Sequence, residues 1–358
     1  MKEKLNTYNN PLKEDLDHIL AHTKGLWEEL RGKKVFITGG TGFFGCWLLE
    51  SFAWANDKLD LEASAFVLSR NPAAFEKRAP HLYHHEAIKF LKGDIKDFIS
   101  PEGSFSYLIH SSGYQQNADE KANNISMVNE MLNGTRRILD FCAQVKVEKM
   151  LLVSTGAIYG KAPSHLKTIP EDFPDSFDPT ISKSVYHHVR RMMETLSVIY
   201  AEEKGFEAKI ARCFSFIGPY LPLNGRFAVS DFILDALSKN NIIIKGDGKA
   251  VRSYLYMADL VIWLWTVLFK GKNCRPYNVG SEMPITISEV AEEFANILVP
   301  PLPVLVLKES SHGVAQDYYV PDTSRARSEL DLQQRIPLSK AIKKTMQWHR
   351  DINLRKEH

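Results

Sequence analysis

Thr155, Tyr186 and Arg190 are the side chains of this 358-residue chain whose types and spacing could move a proton from a hydroxyl group. Tyr186 and Arg190 stand four apart in Tyr186-His187-His188-Val189-Arg190-Arg191-Met192-Met193-Glu194, so on a helix they share one face. A phenol titrates near ~10, and a neighbouring cation favours the phenolate and lowers that value. A tyrosine so tuned can take a hydroxyl proton while hydride leaves the same carbon. A Tyr-x-x-x-Arg helix is by itself usually a solvated face. Weight comes from Leu152-Val153-Ser154-Thr155-Gly156-Ala157-Ile158-Tyr159-Gly160, a few tens of residues earlier, where Thr155 ends an apolar strand and can hold the reacting oxygen.

A hydride needs an acceptor, and Lys34-Val35-Phe36-Ile37-Thr38-Gly39-Gly40-Thr41-Gly42-Phe43-Phe44-Gly45 offers a place for one. Val35 to Ile37 reads as a buried parallel strand. The glycine cluster then runs into Cys46-Trp47-Leu48-Leu49-Glu50-Ser51-Phe52-Ala53, an apolar helix. In a strand–glycine–helix opening of this kind, Gly39 allows the tight turn, Gly42 the approach of a pyrophosphate, and Gly45 close helix–strand packing. The N–H groups and positive dipole end of the helix face the phosphates. The spacing Thr38-Gly39-x-x-Gly42-x-x-Gly45 departs from the commoner GxGxxG, and a glycine-rich hairpin could match it by chance. The flanking strand and helix carry the reading of a dinucleotide site.

The elements that must position these residues alternate. Strands are predicted at Ala63–Leu68, Ile88–Leu91, Tyr107–His110, Met150–Ser154 and Ala208–Cys213, with long helices from about Asn123 to Gln144 and Lys183 to Lys204. This predicts an α/β fold, a Rossmann-type doubly wound parallel sheet with ligands at the C-terminal ends of its strands. Residues 1–31 are read as a helical extension covering the core through Leu16, Ile19, Leu20, Leu26, Trp27 and Leu30. Residues 32–215 form the expected dinucleotide-binding domain. Residues 216–358, richer in proline and glycine, form a smaller C-terminal α/β substrate-binding region with some segments returning to the sheet.

Composition narrows the partners. The chain is 44% hydrophobic and 25% charged with a net charge of +2, and no basic block suggests a nucleic acid polymer. Cys46, Cys142, Cys213 and Cys274 lie far apart without a CxxC pair, which fits reduced thiols and a cytoplasmic location. The polar N-terminus does not read as a secretory signal. The longest apolar run, Leu260 to Phe269, is too short to span a bilayer. His81, His84 and His85 are read as a polar loop, so no metal site is expected.

The end of the second strand bears on the dinucleotide. An acidic residue there favours NAD, whereas this chain has Ser69-Arg70-Asn71. A serine and a guanidinium suit a 2′-phosphate, so NADP gains ground over NAD; the alternative is an Arg70 that stacks on adenine or is solvated. Asp94 and Ile95 are expected beside the adenine.

Taken together, these residues resemble the extended short-chain dehydrogenase/reductase family, specifically its nucleotide-sugar epimerase/dehydratase branch, over roughly residues 33 to 350. The glycine motif, His110-Ser111-Ser112-Gly113, Thr155, Tyr159-Gly160, Tyr186, Arg212-Cys213-Phe214-Ser215-Phe216-Ile217-Gly218-Pro219, Gly246-Asp247-Gly248, Arg252 with Ser253-Tyr254-Leu255-Tyr256, Asp259, Tyr277-Asn278-Val279-Gly280 and Asp322-Thr323-Ser324-Arg325-Ala326 match in order. The resemblance implies Thr155, Tyr186 and Arg190 as catalytic residues. It implies a cofactor site of Gly39, Gly42, Phe43, Phe44, Gly45, Ser69, Arg70, Asp94, Ile95, His110, Ser111, Ser112, Tyr186, Arg190 and Phe214. For a nucleotide-diphosphate sugar it implies Thr155, Ser215, Arg226, Phe227, Arg252 and Arg275, with Arg252 gripping the diphosphate. It also implies a homodimer through a four-helix bundle, simple core packing of the same helices being the alternative.

The departures shape the expected reaction. The family's catalytic lysine is Arg190 here, which keeps the charge but does not release a proton. Gly156 and Ala157 replace the Asp-Glu of the sugar 4,6-dehydratases, and the related decarboxylases keep a glutamate at the second of these positions; neither Gly156 nor Ala157 can act as acid or base. An NAD(P)-dependent epimerase or oxidoreductase is therefore expected ahead of a dehydratase or decarboxylase. Ser215 and Met131 stand where asparagines are usual, and Glu194 fits the family's register. A non-catalytic nucleotide-binding or scaffold member is the alternative from another class.

Overall fold

A computed structural model describes residues 10–114, 124–163, 165–174, 177–223, 227–308 and 317–356. The chain forms two compact units. The first comprises the residues up to Gly160, Phe177–Cys213 and Val261–Tyr277; the second comprises the chain from Lys161, Phe214–Leu260 and the chain from Asn278 onward.

The first unit carries strands β1 (Lys34–Thr38), β2 (Ser64–Ser69), β3 (Ile88–Lys92), β4 (Tyr107–His110), β5 (Lys149–Thr155) and β6 (Glu207–Cys213). The strand Pro276–Val279 joins them at one edge, giving the order Pro276–Val279, β6, β5, β4, β1, β2, β3. β1 to β6 pair in parallel. Their helices are α1 (Lys13–His22), α2 (Phe43–Leu59), α3 (Pro72–Arg78), α4 (Pro80–Tyr83), α5 (Asn124–Val145) and α6 (Val185–Lys204). The doubly wound sheet expected from the alternation is present. Its central strands β1, β4 and β5 are buried along nearly their whole length because helices cover both faces. Phe36, for example, packs in one cluster with Phe98, Phe105 and Phe141, ring centroids 4.8 to 5.7 Å away.

Residues predicted as one N-terminal helix divide into α1 and a short 3-10 turn, Trp27–Leu30. The break falls at Gly25, whose φ of +86° a helix does not accept. Trp27 then packs on Trp265, 5.0 Å between ring centroids. The second unit consists of short sheets and helices. Val251–Arg252 lies between Ile285–Thr286 and Tyr318–Tyr319, and Ile242–Ile244 pairs with Val304–Val306.

Candidate active site

Parallel registry brings the singled-out residues to one end of the sheet. Thr38 pairs with both Leu68 and His110, His110 with Leu152, and Thr155 with Cys213. The sheet changes winding direction between β1 and β4, where open α/β sheets hold their ligands.

Gly39 leaves β1 at φ +70°, and a Cβ there would lie 2.6 Å from the Ser111 carbonyl carbon and the Ser112 nitrogen. Only glycine lets the β1 turn approach the β4 turn this closely. Gly45 serves the helix: its Cβ would meet the Gly39 oxygen at 2.3 Å. α2 opens at Gly42 in extended backbone with no side-chain cap, so its first turn presents main-chain N–H groups at the glycine turn. Phe43 and Phe44 form the first helical residues, ring centroids 5.8 Å apart. A second cation sits here that the sequence did not mark. Arg78, at the end of α3, donates to the Thr41 carbonyl and to the buried Cys46 thiol.

Beneath this turn lies a polar network. Thr38 Oγ1 and His110 Nδ1 are 2.7 Å apart, His110 Nε2 and Thr135 Oγ1 3.2 Å, and Ser111 Oγ donates to the Thr38 carbonyl at 2.7 Å. Ser112 Oγ is 3.3 Å from Thr38 Oγ1 and from His110 Nδ1. Burial, assisted by the nearby Arg190 charge, pushes the His110 pKa down to about 3, so the imidazole is neutral.

At the adenosine end expected from sequence, Ser69 is buried and its Oγ accepts from the Asn71 N–H at 3.3 Å. Asp94 Oδ1 accepts from the Lys96 N–H at 3.0 Å. Ile95 packs over Gly134, where a Cβ would stand 2.8 Å from the isoleucine. Arg70 faces Glu130 of α5, Nη1 to Oε1 4.0 Å.

α6 carries Tyr186 and Arg190, the two helix residues from which chemistry is expected. Arg190 Nε donates to the Tyr186 hydroxyl at 3.2 Å, and Nη1 lies 3.4 Å from the Val153 carbonyl of β5. Arg190 is 9% exposed and fills the space beside Gly113, whose Cβ would lie 3.0 Å from Nη2. Thr155 Oγ1 accepts from the Ala157 N–H at 3.1 Å and caps the 3-10 turn Gly156–Tyr159. One turn past Arg190, Glu194 is clasped by Arg212 of β6 (Nη2 to Oε2, 2.8 Å) and accepts from Ser154 Oγ. Burial opposes the Arg212 charge, but Glu194 and Tyr159 raise its pKa well above normal. This pair ties α6 to the strands beside Thr155.

His187 stacks on Phe177, 4.0 Å and 9° between rings, and is hydrogen-bonded to the Ala157 backbone. Burial lowers its pKa, and its Nδ1 has no hydrogen-bond partner among the described residues. It thus lies beside Ala157, one of the two positions at which the sequence lacks a carboxylate. The three histidines between residues 81 and 85 separate into individual pairs, His81 with Glu50, His84 with Glu76 and His85 with Asp57. No metal-binding cluster occurs among the described residues.

The remaining expected residues lie elsewhere. Phe214, Ser215, Phe227 and Arg252 belong to the second unit, while Arg275 precedes the edge strand of the first. Within the second unit, Phe214 packs on Tyr319 (4.7 Å) and Phe227 is exposed ahead of the helix Ala228–Leu237. Arg252 Nη2 donates to Asp317 Oδ2 at 2.7 Å. Arg226 lies outside the described residues.

The glycine turn, with no room for a Cβ at Gly39 or Gly45, fits the main-chain approach that a dinucleotide pyrophosphate requires. Comparison with known proteins agrees. UDP-glucuronic acid decarboxylase 1 of Arabidopsis thaliana is 26% identical over 311 residues, 86% of this chain and 68% of that protein. The Danio rerio protein of the same name is 27% identical over 317 residues, covering 88% and 72%. Among solved structures, the UDP-glucose 4-epimerase of Thermotoga maritima with UDP-glucose is 19% identical, with a TM-score of 0.74 over 89% of this chain and 99% of that one. The dTDP-glucose 4,6-dehydratase of Bacillus anthracis in complex with NAD is 17% identical, with a TM-score of 0.71 over 89% and 97%. A family model described as the NAD dependent epimerase/dehydratase family matches residues 35–280. With the glycine turn, the parallel sheet and this match over most of its length, the chain belongs to the NAD dependent epimerase/dehydratase family.

Proposed function

We propose that this protein is a nucleotide-sugar epimerase or oxidoreductase acting by hydride transfer at a hydroxyl-bearing sugar carbon. The observation that carries the reading is the Tyr186 hydroxyl held at 3.2 Å by Arg190, on the helix packed against β5. A nicotinamide dinucleotide held there would supply the hydride acceptor and, for an epimerase, the hydride donor of the return step. Tyr186 takes the hydroxyl proton as the carbon is oxidised and gives it back on reduction. Thr155 orients the same oxygen. Arg190 fixes the phenol and supplies positive charge beside it, without itself relaying a proton. The glycine turn and the first turn of α2 hold the cofactor phosphates, and His110, Ser111 and Ser112 line its floor. Arg252 supplies charge-assisted hydrogen bonds to the substrate diphosphate, with Ser215, Arg226, Phe227 and Arg275 as further substrate contacts and Phe214 as a cofactor contact.

The absence of a carboxylate at Gly156 and Ala157 supports epimerisation or simple oxidoreduction. The decarboxylase relatives support a second reading, proton chemistry at the carbon next to the oxidised one, and the His187 imidazole beside Ala157 is the group that favours it. A homodimer through α5 and α6 is consistent with the exposed Ile125, Met192 and Ile199. No helix among the described residues is long and apolar enough to cross a membrane.

The test is a panel of UDP-, dTDP-, GDP- and CDP-sugars with NAD or NADP, with products identified by mass spectrometry and NMR. A 4-epimer or keto sugar that disappears in Tyr186→Phe is the expected result. A 4-keto-6-deoxy or decarboxylated product overturns the first reading in favour of the second. Turnover undiminished in Tyr186→Phe overturns the mechanism.

A further inference from the structure

We propose that Glu130, on α5, makes this site select NAD over NADP by occupying the cation that would receive a 2′-phosphate. On sequence, Ser69-Arg70 points the other way, because no acidic residue follows β2. In space a carboxylate does arrive, from a different element. Glu130 Oε1 lies 4.0 Å from Arg70 Nη1.

Two further features place this pair at the adenosine end. Glu130 stands one helical turn before Gly134, whose missing Cβ lets Ile95 pack directly on α5. Ile95 follows Asp94 at the end of β3, and β3 pairs with β2 so that Ser69 sits opposite Lys92. The ends of β2 and β3 and the 130–134 face of α5 therefore surround one spot. Ser69 already accepts from the Asn71 N–H, and Asp94 from the Lys96 N–H. Glu130 is the acidic group that another element brings to Arg70.

Charge decides the consequence. A 2′-phosphate brings close to two negative charges, and to bind Arg70 it must displace Glu130 or sit beside it. Either way a like-charge contact opposes NADP, which is how a site rejects one of two similar ligands. A ribose 2′-hydroxyl brings no such charge. It can donate to a carboxylate and accept from the guanidinium, so the ion pair suits NAD. The side chain of Glu130 is 21% exposed against 57% for Arg70, so the carboxylate is the better-held member of the pair.

The inference concerns binding and rests on the family's dinucleotide, not on the identity of the sugar. It is tested on the full-length protein by calorimetric titration of NAD+ and NADP+ into cofactor-free wild type, Glu130→Gln and Glu130→Gln/Arg70→Ala. The expected results are tighter NAD+ binding by wild type and a shift of about tenfold toward NADP+ in Glu130→Gln. Removing Arg70 as well should cancel that shift. Wild type that binds NADP+ as tightly as NAD+ overturns the proposal, as does a ratio that Glu130→Gln leaves unchanged. Failure of either dinucleotide to bind any of the proteins overturns the cofactor site itself, an outcome distinct from an unaltered ratio. Circular dichroism of each variant checks that the fold is intact.

Discussion

Arg190 Nε donates to the Tyr186 hydroxyl across one helical turn, at 3.2 Å, with the guanidinium 5.5 Å from the phenol ring centre. The same guanidinium reaches the Val153 carbonyl and packs where Gly113 lacks a side chain. Three elements are thus shaped around an arginine. A lysine at this position would keep the charge but not the planar fork that meets a hydroxyl and a carbonyl together.

Arg190→Lys is therefore expected to lower kcat rather than raise it, by about ten- to a hundredfold, the loss of one or two charge-assisted hydrogen bonds. Steady-state kinetics on the substrate found in the sugar panel checks this. A gain in kcat would mean that arginine handicaps the site. Tyr186→Phe, which removes the proposed proton carrier itself, should cost more than Arg190→Lys.

Much of this site was legible before the fold. The glycine spacing, the strand-end Thr155 and the i, i+4 pair on α6 are local patterns, and local geometry fixes what they present. Groups that arrive from distant elements were not legible. Arg78 reaches the glycine turn from α3, Glu130 meets Arg70 from α5, and His187 covers Ala157 because Phe177 holds its ring. No period or spacing in the sequence encodes those meetings. Similarly, the helical pattern across residues 16–30 did not register that Gly25 turns the chain.

His110 makes stability depend on acid. Its folded pKa, about 3, lies below the usual imidazole value because burial penalises the charged ring, with Arg190 adding repulsion. Between those values the unfolded chain binds a proton that the folded chain refuses, so stability falls as pH falls. The slope is about 1.4 kcal/mol per pH unit for one group, beginning near pH 6.5. Urea unfolding at pH 7 and pH 5 should show this loss. His110→Gln, which can still hydrogen-bond Thr38 and Thr135, should reduce the difference between the two pH values by about one proton's worth. An unchanged difference would assign the acid sensitivity to other groups.

Gly39→Ala tests the cradle. The new methyl would meet the Ser111 and Ser112 backbone at 2.6 Å, and an alanine would have to hold φ near +70°. Left-handed strain and a backbone clash together should cost about 1–3 kcal/mol. Because the β1 and β4 turns must part to admit the methyl, dinucleotide affinity should fall with stability. Thermal melts with and without NAD check both: the ligand-induced rise in Tm should be smaller in the variant. A Gly39→Ala protein with the full rise would show that the turn is not a binding element.

The Glu194–Arg212 pair joins α6 to β6 beside Ser154, the residue before Thr155. Both side chains are largely buried, and Arg212 also donates to the Tyr159 hydroxyl at 2.8 Å. Glu194→Gln leaves that guanidinium buried without its countercharge, and removing one partner of such a pair costs about 3–5 kcal/mol. Replacing both, as in Glu194→Leu/Arg212→Met, removes the unpaired charge and should recover much of the loss. Equilibrium urea unfolding of Glu194→Leu, Arg212→Met and the double variant measures the coupling. The double variant separates stability from positioning. If the pair also holds β5 for Thr155, kcat remains reduced where the fold has regained stability, with KM little changed. Full recovery of both stability and kcat would restrict the pair to holding the fold together.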